Sequence, residues 1–226
     1  MDDTNVESCK VVLLGESGVG KTSIIAQFMD AEFIEDQQAT TGATFSTKSI
    51  SYPEHHKEVS FEIWDTAGQE KYRSLTKMFY KDASIAILVY DVTRLDSYTN
   101  IRDFWVEQLK ENAPKKIILA IAANKCDLIG EEKVNEEEAR QLAAEIGAMF
   151  RLTSAKQQTG VEELFRDLGN KFIDPNFDGN KDAKKRKKKA ERRKEFVFLY
   201  LKLNHALKQD KSETYTLNSK TWLIWK

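Results

Sequence analysis

The chain has 226 residues, 41% apolar and 31% charged, enough for one sizeable domain plus a tail. Its two cysteines, Cys9 and Cys126, exclude a disulfide framework and point to a reducing cytosol; no run reaches the roughly 20 apolar residues that cross a bilayer, and the polar, acidic Met1–Glu7 does not read as a signal peptide. The net charge of −1 hides an asymmetry, with +8 over residues 181–194, +2 over 195–226, and therefore −11 over 1–180.

In chain order, strands are predicted near residues 9–15, 43–51, 58–65, 84–91, 117–123 and 149–153, and helices near 21–30, 73–81, 98–112, 136–146 and 161–173. The runs Ile85–Val89 and Ile117–Ile121 are continuously apolar, as strands covered by helices on both faces must be. Ile101, Trp105 and Leu109, then Leu142 and Ile146, mark the inner faces of two helices. Tyr52–Lys57 reads as a hairpin between the second and third strands. The expected fold class is thus α/β, a six-stranded, mostly parallel sheet with one antiparallel edge strand and five flanking helices. His55 and His56 lie in that polar turn without any zinc-ligand pattern and are expected to be solvated.

The segment Gly15–Thr22 spells GxxxxGK[ST] between the apolar run Val11–Leu14 and the helix-like Ser23–Phe28. Glycines let successive N–H groups turn inward around phosphate oxygens, and the following helix presents its positive end. Lys21 adds an ammonium, and the Thr22 hydroxyl can ligate Mg²⁺. Asp65, at the end of the strand through Trp64, puts a carboxylate where it can hold Mg²⁺ through water. Asn124-Lys125-Cys126-Asp127 follows a buried-looking strand, and the two acceptor oxygens of Asp127 suit the adjacent N1–H and 2-amino donors of guanine. Ser154-Ala155-Lys156 offers a backbone N–H for the guanine carbonyl and a lysine stem to pack on the ring. All four elements fall at the carboxyl ends of successive strands, where open α/β sheets bind ligands.

These residues resemble the Ras superfamily of small GTPases and, within it, the Rab family, in order and spacing over residues 9–174. Phe61-Glu62-Ile63-Trp64 leading into Asp65, Lys71-Tyr72-Arg73-Ser74-Leu75 after Gln69, and Leu88-Val89-Tyr90-Asp91 carry the Rab resemblance. Thr40-Thr41-Gly42-Ala43-Thr44-Phe45 looks like the effector loop of endosomal Rabs, with Thr41 where isoleucine is common. The resemblance implies a P-loop NTPase of the small G-domain type: residues 1–8 a short polar extension, 9–174 the G domain, 175–226 a hypervariable basic tail. It implies a Mg²⁺-dependent GTP/GDP switch of vesicle-mediated transport, with slow hydrolysis until an activating protein binds. GTP would be bound by Ser17, Gly18, Val19, Gly20, Lys21, Thr22, Ser23, Phe33, Thr40, Gly68, Asn124, Lys125, Asp127, Ser154, Ala155 and Lys156. The hydroxyls of Thr22 and Thr40 would ligate the metal, with Asp65 acting through water, and Thr41 stays a rival to Thr40. Gln69 would orient the attacking water. Phe45, Trp64 and Phe79 would form the apolar surface that effectors read. Implied partners are a guanine-nucleotide exchange factor, a GTPase-activating protein and GTP-state effectors.

A metabolic P-loop enzyme or a nucleotide-locked scaffold is the alternative. Gln69 after Asp65-Thr66-Ala67-Gly68 argues against a nucleotide kinase, which has no need of a water-positioning glutamine, and the presence of Lys21, Thr22, Thr40, Gln69 and Asp127 argues against a locked scaffold. The resemblance fails at the C-terminus, since prenylated cysteines usually end Rab proteins and this chain has none after Cys126. Lys184–Lys189 reads as a solvated tail in preference to a nucleic-acid patch. The aromatic stretch after Lys194 is open between a helix, a membrane-surface segment and a gene-model extension. Weak contact of the tail with anionic membranes is expected, and the expected location is cytoplasmic, peripheral on endosomal or other vesicle membranes if the chain is anchored.

Overall fold

The computed structural model describes residues 5–179 except 36, 39, 41, 43 and 66–79. The chain divides into Met1–Asn180 and Lys181–Lys226, and the second unit lies outside the described residues. So does the helix expected over 73–81, apart from Tyr80 and Lys81.

Six strands form one sheet: β1 (Asn5–Leu14), β2 (Thr44–Tyr52), β3 (Lys57–Asp65), β4 (Ile85–Asp91), β5 (Ile118–Asn124) and β6 (Met149–Leu152). Their spatial order is β2-β3-β1-β4-β5-β6. Only β2 runs antiparallel to its neighbour; the pairs β3–β1, β1–β4, β4–β5 and β5–β6 are parallel. The β2–β3 hairpin closes through the 3₁₀ turn Pro53–His55, with His56 at φ +50, and both histidines are exposed. Four helices are described: α1 (Lys21–Phe28), α2 (Leu95–Asn100, continuing through the π-helical turn Ile101–Trp105 into Val106–Asn112), α3 (Glu136–Glu145) and α4 (Val161–Ile173).

Side chains alternate across a strand, so each central strand feeds two cores. Cys9, Val11 and Leu13 of β1 join Ile85, Ile87 and Val89 of β4 on one face, under Ile24 and Phe28 of α1 and Leu164, Phe165 and Leu168 of α4. Val12, Leu14, Ala86, Leu88 and Tyr90 point the other way, against Ile101, Trp105 and Leu109 of α2 and Leu142 and Ala143 of α3. Phe165 stacks on Phe28 at 3.7 Å between centroids and meets Phe61 edge-on at 5.7 Å, which fixes α4 to α1 and β3. The missing side chain of Gly169 makes room for the Tyr52 ring, whose hydroxyl would stand 1.9 Å from a Cβ there.

Two element starts differ from the sequence expectation by three residues or more. β1 begins at Asn5, within the segment read as a polar extension, because Asn5–Ser8 pairs with Lys57–Ser60 and carries almost no apolar signal. α2 begins at Leu95, three residues early, with an exposed Leu95 that breaks the apolar period. Among the described residues no helix is long and apolar enough to cross a membrane.

Candidate functional site

The carboxyl ends of β1, β3, β4, β5 and β6 converge on one edge, and the loops leaving β1, β5 and β6 enclose a cavity of about 340 Å³. Gly15 and Gly20 permit its floor. A Cβ on Gly15 (φ +148) would stand 2.2 Å from the Val89 carbonyl oxygen, and one on Gly20 (φ +94) would stand 2.4 Å from Asn124 Nδ2. No side chain caps the N-terminus of α1 and its first turn holds no acid, so its leading N–H groups and positive dipole end are left for an anion.

Lys21 donates from Nζ to the carbonyls of Gly15 and Glu16, 2.9 Å each. Burial pushes its ammonium down to about 8, against the upward pull of the Asp65 and Glu16 carboxylates. Such a buried cation favours an incoming anion strongly. The Thr22 hydroxyl donates to Asp65 Oδ2 at 2.6 Å and lies 2.8 Å from the Thr40 hydroxyl, itself 3.5 Å from the same carboxylate oxygen. These three hard oxygens come from α1, the loop before β2 and the end of β3. Among the described residues no group of three His, Cys, Asp or Glu is placed to hold a metal by itself.

At the other end, Asn124 is buried, donates from Nδ2 to the Val19 carbonyl at 2.8 Å and accepts from the Thr153 hydroxyl at 3.1 Å. Lys125 adopts φ +64 and pairs with buried Asp91 at 2.6 Å. The Ser154 hydroxyl donates to Asp127 Oδ1 at 2.5 Å and accepts from the Gln157 N–H at 3.0 Å. Across the mouth, Lys156 meets Glu35 at 2.6 Å, both largely exposed.

Of the residues expected at the site, Ser17, Gly18, Gly20, Lys21, Thr22, Ser23, Phe33, Thr40, Asn124, Lys125, Asp127, Ala155 and Lys156 line this one cavity. Two sit differently. Val19 is fully buried with its side chain in the core beside Ile24, so only its backbone serves the loop. Ser154 is fully buried and acts on Asp127, not on the cavity. Gly68, Gln69, Phe79 and the rival Thr41 lie outside the described residues. Phe45 and Trp64 form an edge-to-face pair at 5.3 Å between centroids, with Phe45 53% exposed. Sequence reading missed Glu35, Gln37, Gln38 and Leu128 in the lining, and Asp91 and Arg94 behind it. For Asp91 a signal existed, since it ends an apolar strand with a carboxylate as Asp65 does.

The family model described as the Ras family matches residues 10–174. Among curated proteins, the chain is 42% identical over 178 residues to Ras-related protein Rab-31 of Rattus norvegicus, covering 77% of this chain and 89% of that protein. It is 42% identical over 172 residues to Ras-related protein Rab-22A of Homo sapiens, covering 76% and 86%. Identity is again 42% over 165 residues to Ras-related protein Rab5 of Nicotiana tabacum, covering 73% and 81%. These relatives bear out the endosomal-type Rab resemblance and do not favour a metabolic P-loop enzyme. A family match over most of the chain and three Rab relatives at 42% identity, on a cavity at the carboxyl ends of the strands, make this protein a member of the Ras family, a Rab-type small GTPase that binds GTP and GDP, hydrolyses GTP and acts in membrane traffic.

Proposed function

We propose that the protein is a Mg²⁺-dependent switch in which the Thr22–Thr40–Asp65 oxygens report the presence of the γ-phosphate. The observation that carries this reading is the meeting of the Thr40 hydroxyl, from the loop before β2, with the Thr22 hydroxyl of α1 and the Asp65 carboxylate, within 2.6 to 3.5 Å of one another. Hydroxyl and carboxylate oxygens without a protein-built cage suit an ion that shares its coordination with substrate phosphates and water. Thr22 and Thr40 would hold it directly and Asp65 through water. Bound Mg²⁺ supplies charge stabilisation at the β- and γ-phosphates.

The chain's own groups do the rest. Lys21 and the inward N–H groups of residues 17–22 bind phosphate oxygens. Asp127 accepts from guanine N1–H and the 2-amino group, the Ala155 N–H meets the guanine carbonyl, and Phe33 lies beside the base. Gln69 orients water, and the Gly68 N–H meets the γ-phosphate. Loss of that phosphate removes the reason for Thr40 to stay, so the loop before β2 and the Phe45–Trp64 surface change partner affinity. Exchange factor, activating protein and effector follow from Rab membership in general. Rab relatives support vesicle or endosome association, and the basic tail would add weak, salt-sensitive attraction to an anionic leaflet.

The test is Thr22→Asn and Gln69→Leu, assayed for Mg²⁺-dependent retention of GTP and for single-turnover hydrolysis. Thr22→Asn should lose Mg²⁺-dependent GTP retention. Gln69→Leu should keep nucleotide and lose activator-stimulated hydrolysis. Unchanged behaviour in both would refute the switch as drawn.

A further inference from the structure

Side chains grip the carbonyls of the phosphate loop, and one of the grips comes from outside the cavity lining and belongs to none of the four nucleotide motifs. Lys21 holds the Gly15 and Glu16 oxygens and Asn124 holds that of Val19. The Ser17 carbonyl accepts from Arg94 Nη1 at 2.9 Å, across 77 residues of sequence. Arg94 stands in the turn between β4 and α2. Its backbone is anchored on both sides, the N–H donating to the Asp91 carbonyl at 3.0 Å and the carbonyl accepting from the Ser97 hydroxyl at 2.7 Å. Asp96 Oδ2 pins its other nitrogen, Nη2, at 2.6 Å.

In a planar trans peptide the carbonyl of one residue and the N–H of the next point in opposite directions. A Ser17 carbonyl aimed at Arg94 therefore turns the Gly18 N–H away from Arg94 and toward the cavity that Ser17 and Gly18 line. Gly18 sits at φ +77 and has no side chain to resist a flip of that peptide. Arg94 itself does not line the cavity, and its guanidinium is engaged by Ser17 and Asp96. We infer that Arg94, held by Asp96, is a positioning residue that fixes the Ser17–Gly18 peptide with its N–H toward the phosphates of bound nucleotide, as Asn124 does for the Val19–Gly20 peptide. The inference rests on the cavity being the guanine-nucleotide site.

The test uses the full chain loaded with a fluorescent GDP analogue and Mg²⁺. Arg94→Ala should release GDP about tenfold faster, the loss of one charge-assisted hydrogen bond partly offset by water. Asp96→Asn should accelerate release less, because Arg94 stays but is pinned only by a neutral amide oxygen. Arg94→Lys should recover part of the retention through a single ammonium bond to Ser17. In the GDP complex the Gly18 amide proton should move upfield in Arg94→Ala and return toward the original position in Arg94→Lys, a change that general loosening of the domain would not confine to Gly18. Should Arg94→Ala fail to fold, the other two variants carry the same comparison. Wild-type release rates with an unmoved Gly18 amide would overturn the role of Arg94 while leaving the site intact. Failure of the wild-type protein to retain GDP would remove the site reading and this inference with it.

Discussion

Removing the Ser154 hydroxyl isolates the orientation of the guanine-reading carboxylate. Ser154 is fully buried, and its backbone is held independently of the side chain: its N–H donates to the Thr159 carbonyl at 2.9 Å and its carbonyl accepts from the Thr159 N–H at 3.0 Å. Ser154→Ala should therefore leave the loop in place and delete two bonds only, the 2.5 Å donation to Asp127 Oδ1 and the 3.0 Å acceptance from Gln157. Gln157 is exposed and finds water. The loss that matters is one hydrogen bond to a charged acceptor, about 1.5 to 3 kcal/mol, so GDP affinity should fall roughly 10- to 150-fold. Inosine diphosphate lacks the 2-amino group and draws less on the exact aim of Asp127. Its affinity should fall less, and the preference for GDP over inosine diphosphate should narrow. Calorimetric titration of both nucleotides into both proteins decides the matter: equal losses for the two would refute the reasoning and assign the effect to the loop as a whole.

Gly15→Ala should destabilise the fold by about 2 kcal/mol or more, since its Cβ meets the Val89 carbonyl oxygen at 2.2 Å on an unfavourable φ; a denaturant midpoint unchanged from wild type would contradict this. Asp127→Asn should exchange guanine for xanthine preference, because an amide donor faces an acceptor oxygen in place of the 2-amino group; competition between GDP and xanthosine diphosphate is the measurement, and unchanged selectivity would dissociate Asp127 from the base. Burial raises the Cys9 thiol to about 12, so native protein at pH 8 should take up maleimide at half-buried Cys126 and spare Cys9, as peptide mass mapping would show. The same raised value means that Cys9 is un-ionised in the fold. Its contribution to stability is present below its ordinary value of 9.0 and is lost as pH rises from there through about 12, joined by the buried phenols of Tyr52 and Tyr90, whose ionisation burial also pushes up. Denaturant titrations at pH 8 and pH 10.5 should show that loss.

Residue identity alone determined the alternation of strands and helices and the placing of nucleotide motifs at strand ends. Continuously apolar β4 and β5, with turn chemistry after each, admit few arrangements other than a sheet covered on both faces. The cavity floor was legible too, because the chemistry of Gly15–Thr22 is local: glycine geometry, a helix start and a lysine within one loop. What stayed hidden depends on contacts between distant segments. Asn5–Ser8 is strand because β3 pairs with it, not because its own residues ask for it. Ser154 and Val19 belong to the motifs by position, yet packing turns both side chains into the interior and leaves them to act through Asp127 and through the backbone. Asp91, 34 residues before Lys125, and Arg94, 77 residues after Ser17, serve the site only because parallel pairing of β1, β4 and β5 stacks their ends side by side. Sequence specifies which groups can bind phosphate and guanine, but only the folded sheet decides which neighbours hold those groups in place, since an ion pair or a buried hydrogen bond exists only when both partners share one small region of space.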